Sequence, residues 1–185
     1  MSGRVLDKNT LTIIVKCAVF SKHFYCFNVW SNTTESNLEK GKKVQNFACR
    51  IISWVKKFEH ITPVLRAMQW LLKRQQIYHR NAVMAFNCLT GCAPDSLTDQ
   101  FIKRSEVSTR TTRNSQKLQA TCTTRNSQKL QIPFLKSATG QRSFYYMTVK
   151  IWSSLDPVLK LSRTLKQFKR KLKSILLKDF LDSTT

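Results

Sequence analysis

The side chains with chemistry to offer in this chain are mostly cations. Lys103, Arg104, Arg110, Arg113 and Arg142, followed by Lys166, Lys169, Arg170 and Lys173, are candidate contacts to phosphate oxygens. Tyr145, Tyr146 and Trp152 sit among them and could stack on bases, although aromatics at helical spacing are more often core, Trp152 above all. The other reactive residues form no recognisable constellation. Cys88 and Cys92 are four apart, and no histidine follows them at zinc spacing. That reads as free thiols in a reducing compartment, with no metal and no cofactor. His23, His60 and His79 form no convincing constellation with an acid or thiol in the sequence, and there is no glycine-rich phosphate loop. A catalytic triad assembled by folding from distant residues is not visible at this level.

Charge reinforces the cations. The 185 residues carry 32 Lys and Arg against 10 Asp and Glu, a net +22. The excess peaks between residues 101 and 150, with ten basic side chains and one acidic. A field of this sign attracts polyanions, nucleic acid first. The expected partner is RNA or DNA held without sequence preference. No stretch has the length of a membrane span, and Lys16 interrupts the apolar run Leu11–Phe20, so neither a span nor a signal peptide is expected. The expected compartment is intracellular, cytoplasmic or nuclear.

The elements that must position these residues are helical. Four glycines and four prolines in a chain that is 42% hydrophobic favour helices over a many-turned β fold. Residues 8–30 read as a long, mostly buried helix capped by Asn9 or Thr10, with Leu11, Ile14, Val15, Ala18 and Val19 inward; its β-branched residues keep a strand open as an alternative. Thr34 opens a second helix with Leu38, Gly41, Val44, Gln45, Ala48, Ile51 and Ile52 inward, extended by Trp54 and Val55. Gly41 leaves a gap in that stripe and costs about 1 kcal/mol against Ala. Thr62-Pro63 starts a short helix through Leu65 and Met68 to Trp70. Another helix runs from about Arg74 to Thr90 and stops at Gly91, and Pro94 opens a short one.

Residues 105–137 break the pattern. They are polar and basic and contain a duplication: STRTTRNSQKLQ at 108–119 and ATCTTRNSQKLQ at 120–131 match at ten of twelve positions. Two polar copies cannot build a repeat array, so one copy reads as a dispensable insertion in a surface loop. Beyond it, Ser143 caps a helix with Phe144, Met147 or Thr148, Ile151 or Trp152, and Leu155 inward, stopped by Pro157. Ser162 caps an amphipathic helix with Leu165, Phe168, Leu172, Ile175, Leu176 and Phe180 on one side and the lysines and Arg170 on the other. The expected fold class is mainly α, an irregular helical bundle. Residues 1–104 form one helical region, 105–137 the loop, and 138–185 a second helical region.

Several blocks, in order, carry a resemblance. They are Tyr25-Cys26 with Trp30, Val44–Ile52, and His60-Ile61-Thr62-Pro63 with Trp70-Leu71. Next come Gly91-Cys92-Ala93-Pro94 with Leu97, and Gly140-Gln141-Arg142-Ser143-Phe144 with Trp152-Ser153-Ser154-Leu155. Phe168-Lys169 with Leu172-Lys173 closes the series. Together they resemble the C-terminal region of LINE-type (non-LTR) retrotransposon reverse transcriptases, the Jockey-like and chicken-repeat-like group. The chain departs from that pattern at Gly41, where the family usually has Leu, at Leu72, where it often has Pro, and at Ser153, where it has Asn. The resemblance covers the thumb-like region behind the polymerase palm. It implies a fragment that braces a template–primer duplex, with the palm domain as its protein partner. It implies no catalysis in this chain, because the family's polymerase uses two metal ions on adjacent aspartates. The six here, Asp7, Asp95, Asp99, Asp156, Asp179 and Asp182, are never adjacent. Two other readings compete: a helical protein-interaction module without nucleic acid, and the product of a decayed element with no function. A membrane-surface role for the C-terminal helix is weakened by Asp179 and Asp182.

Overall fold

The structure is a computed structural model and describes residues 6–25, 27, 33–101, 130, 132 and 135–182. As expected, the chain is mainly α-helical. It divides into two compact units, Met1–Arg80 with Lys169–Thr185, and Asn81–Phe168. The sequence placed its divisions at 104 and 137; by packing they fall at 80 and 168. The polar stretch 105–137, apart from Leu130, Ile132 and residues 135–137, lies outside the described residues.

The first unit begins with α1 (Lys8–Ile14), a π-helical segment Val15–Phe20, and α2 (Ser21–Phe24). Asp7, rather than Asn9 or Thr10, is the cap: its Oδ2 accepts the Asn9 N–H at 3.0 Å. The helical path is interrupted at Tyr25, which is extended at ψ 132°, and Phe27 is again helical. Nor is it mostly buried. Val15 is, with Leu11, Val19 and Phe20 packed around it, while Ile13, Ile14 and Ala18 face solvent. The partner surface is narrow, only Ala48 and Ile52 at its centre, so it covers one stripe at spacing four and not the broad face that the composition suggested.

The next helix, α3 (Glu35–Ser53), buries Gly41, Gln45, Ala48, Cys49 and Ile52. Val44 and Ile51, expected inward, are exposed. Trp54 does not extend the face either. It adopts the left-handed conformation at φ 58°, ends the helix, and is 53% exposed. Gln45 is the polar member of the buried stripe, and its Nε2 donates to the Leu71 carbonyl at 2.8 Å.

Helix α4 (Thr62–Ala67) has Pro63 in its first turn and ends before Trp70. A six-to-one bond from Trp70 N–H to Leu65 O and a five-to-two bond from Gln69 N–H to Arg66 O, both 2.9 Å, close it as a Schellman motif. Gln69 holds the left-handed position at φ 53° that such a motif usually gives to glycine. A six-to-one bond also closes α5 (Lys73–Leu89): Gly91 sits at φ 71° and Cys92 N–H reaches Asn87 O at 2.9 Å. Gly91 was expected as the stop.

The second unit contains the later turns of α5, α6 (Asp95–Thr98), α7 (Ala138–Gln141), α8 (Phe144–Ser154) and α9 (Pro157–Lys160). Its core is Cys88, Phe101, Leu130 and Val149, with Leu97, Phe144, Tyr145 and Trp152 packed against them. Leu130 belongs to the second copy of the duplication and is 3% exposed, so that copy is not wholly a surface insertion. The Ser143 hydroxyl caps α8 by accepting Tyr146 N–H at 3.4 Å. Pro157 does not merely stop a helix. It begins α9, whose cap Asp156 accepts Val158 N–H at 2.8 Å.

Helix α10 (Leu165–Asp182) contributes residues to both units. Its cap is Thr164, whose hydroxyl accepts Gln167 N–H at 3.2 Å; Ser162, expected in that role, is buried. Phe168, Leu172 and Leu176 are its buried side. In the second unit Phe168 stacks on Phe86 at 4.7 Å. In the first, Gln75 Nε2 donates to Leu176 O at 2.8 Å.

Candidate nucleic-acid interface

Lys166, Lys169, Arg170 and Lys173 are all exposed on α10. Spacing of three and four puts them along one stripe of the helix, flanking the buried stripe of Phe168, Leu172 and Leu176. The four share one exposed stripe, as their spacing leads one to expect. Arg142 is exposed at the end of α7, and its Nε donates to Ala138 O at 3.3 Å, bracing that short helix. It belongs to the second unit, whereas Lys169, Arg170 and Lys173 belong to the first. Lys103, Arg104, Arg110 and Arg113 lie outside the described residues.

Of the aromatics considered for stacking, Tyr145 and Trp152 are half-buried against the core and Tyr146 is half-buried outside that cluster. Tyr145 meets Phe101 edge-on at 5.4 Å, and burial pushes its phenol above the ordinary range. Trp152 leans on Phe168 at 6.1 Å with the Lys160 ammonium 5.8 Å from its ring.

A second basic surface, unforeseen in the sequence, lies within the first unit. It is a cleft of about 680 Å³. Phe20, Phe24 and Trp70 form its aromatic wall, and Lys16, Arg80 and Lys173 bring positive charge. His79 and Gln76 also line it, and no carboxylate does among the described residues. Each part has a local cause. The Schellman turn lays Trp70 beside Phe20, whose ring meets it edge-on at 4.9 Å. Phe24 follows one helical turn after Phe20, 5.5 Å away. Arg80, on α5, lays its guanidinium 4.1 Å from the Phe24 ring centre and 5.0 Å from that of Phe27. Lys173 comes from the basic row of α10 and joins the two surfaces.

Behind the phenylalanines is an unusual group. Lys73 is only 4% exposed, with its ammonium 4.8 Å from the Phe27 ring centre and in hydrogen-bond contact with His23 Nε2. Burial, then the Arg80 charge, lowers Lys73 to about 8. Burial, then Lys73 and Arg80, lowers His23 to about 4. At neutral pH His23 is therefore an uncharged acceptor for the Lys73 ammonium. His79 is also held below its usual value, first by burial, although its Nε2–H donates to the Lys169 carbonyl at 3.5 Å.

This arrangement suits holding an anion. Among the described residues no group of three His, Cys, Asp or Glu could hold a metal ion. Cys88 is buried and Cys92 exposed, so the close pair does not share one environment. No described helix is long and apolar enough to cross a membrane.

Sequence reasoning missed Lys16, Arg80, Phe20 and Trp70. One signal was present: Lys16 interrupts an otherwise apolar helical run, as a functional cation on a packed helix does. Arg80 carried none. No protein-family model, curated protein or solved structure matches the chain.

Proposed function

We propose that this chain holds RNA or DNA through its phosphates, without sequence preference and without catalysis of its own. It would serve as a helical piece resembling the region behind the palm of LINE-type reverse transcriptases. The observation that carries the reading is the row Lys166, Lys169, Arg170 and Lys173, exposed along one stripe of a helix anchored by the buried Phe168, Leu172 and Leu176. Such a row follows a phosphate backbone, and its affinity comes from released counterions. Net charge of +22 supplies the long-range attraction. The family resemblance supplies the template–primer duplex as the ancestral ligand and a palm domain as the second partner.

A salt titration with fluorescently labelled RNA duplex tests it. Neutralising about three phosphates should weaken binding roughly fifty-fold between about 50 and 200 mM salt. Replacing Lys169 and Arg170 with Gln should lower the salt slope by about one per cation lost. Tight binding indifferent to salt would sink the reading.

The competing reading, a protein-interaction module, has its own observation. Phe47, Trp54 and Phe58 are 66%, 53% and 92% exposed in the first unit, more apolar surface than a solitary domain usually shows. Light scattering over a concentration series discriminates, because a stable dimer with no affinity for nucleic acid would favour the module.

A further inference from the structure

The cleft of the first unit offers more than phosphate contact requires. A duplex presents phosphates on a convex surface and keeps its bases stacked inside. It has no use for a concave site walled by Phe20, Phe24 and Trp70. An unpaired nucleotide has a flat aromatic face and a charged backbone side by side, and the cleft offers a surface for each. The rings line one part, and Lys16, Arg80 and Lys173 supply the charge. The cleft's roughly 680 Å³ lies within the range of about 300–1,000 Å³ usual for small-ligand sites.

Arg80 is prepared for an anion. Its guanidinium lies 4.1 and 5.0 Å from the Phe24 and Phe27 ring centres and lines the cleft, and a guanidinium is the group that takes a phosphate bidentately. Lys73 crowds more positive charge behind the same rings. No carboxylate lines the cleft among the described residues, so a bound phosphate would answer a charge that the lining does not.

We infer that this cleft takes one unpaired nucleotide of a nucleic-acid strand, with its base against Trp70 and Phe20 and its flanking phosphates on Lys16, Arg80 and Lys173. The inference rests on the nucleic-acid reading and adds that the strand is single where it enters the cleft. The Lys173 ammonium, shared with the α10 row, continues the phosphate track out of the cleft.

The test compares a short single strand with an abasic strand of the same length, which keeps the phosphates and lacks the bases. Anisotropy titrations of the full chain should show the intact strand binding roughly tenfold or more tighter, the contribution of one stacked base. The double variant Lys16→Gln/Lys173→Gln, at two exposed positions, should weaken the intact strand and narrow the gap. Lys166→Gln/Lys178→Gln, exposed and outside the cleft, should weaken both strands alike. Indole fluorescence should be quenched by the intact strand, and Trp70→Phe should remove most of that quenching. Equal, salt-sensitive affinity for the two strands would overturn the cleft assignment and leave phosphate binding standing. Failure of both strands to bind at low salt would overturn both.

Discussion

Gly41 and Lys73 fit together as a notch and its occupant. A Cβ at position 41 would lie 3.1 Å from Lys73 Cε and 3.2 Å from His23 Cε1. The gap in the apolar stripe of α3 is therefore the space that lets a buried lysine reach its histidine. Gly41→Leu, the residue that the family resemblance leads one to expect, should destabilise by about 1–3 kcal/mol through overpacking, despite its better helix propensity. Gly41→Ala should cost less than Gly41→Leu, because a helix-propensity gain of about 1 kcal/mol offsets the shift of a few tenths of an ångström asked of Lys73 and His23. Urea midpoints of the two variants check this, and a more stable Leu variant would show that the notch has no packing role.

The Lys73–His23 pair makes stability depend on pH in two windows. His23 is lowered from 6.5 to about 4, so between those values the unfolded chain binds the proton and the folded chain resists it. Stability should fall as pH falls from 6.5 towards 4. Lys73 is lowered from 10.5 to about 8, so the unfolded chain holds more protons between those values and stability should rise as pH rises from 8 towards 10.5. Lys73→Met should abolish the upper rise and be neutral or stabilising near pH 7, since it replaces a buried charge with an apolar chain of similar length. Denaturant midpoints against pH for both proteins give the answer. An unchanged upper window in the variant would assign it to another group.

Gln69 bears the strain of placing Trp70. A non-glycine residue in the left-handed region costs about 1–2 kcal/mol. Gln69 is exposed, so Gln69→Gly should stabilise by about 1 kcal/mol. Gly91→Ala, at the equivalent place after α5, should cost about the same, although no atom lies within 4 Å of its Cβ. Thermal midpoints moving in opposite directions would confirm that backbone conformation, not contact, is responsible.

Leu130 separates the two copies of the duplication. Truncation of this buried side chain by Leu130→Ala should cost about 2–4 kcal/mol through the cavity left beside Phe101 and Val149. Deleting residues 108–119, the first copy, should leave the thermal midpoint nearly unchanged on the expectation from sequence that they form a loop, because halving a loop changes closure entropy by only about 0.6 kcal/mol. Unfolding of the deletion variant would show that the first copy is structural.

The sequence by itself determined whatever depends on neighbours along the chain. Helical class followed from periodicity and the scarcity of glycine and proline. Ser143 as a cap and Gly91 as a stop followed from side-chain and backbone chemistry confined to one turn. The row Lys166, Lys169, Arg170 and Lys173 followed from helical spacing alone. Tertiary structure decided what depends on distance in space. It chose one narrow stripe of the first helical stretch for burial, because only Ala48 and Ile52 centre the surface opposite. It turned Gly41 from a defect into a fitted space, because Lys73 and His23 come from residues 32 later and 18 earlier in the chain. It also assembled the cleft from the π-helical segment and α2, the turn after α4, α5 and α10, segments that no local pattern connects. Hydrophobic periodicity reports which side of an element is buried, but not which other element buries it. A site built from several elements therefore becomes visible only once packing has brought them together.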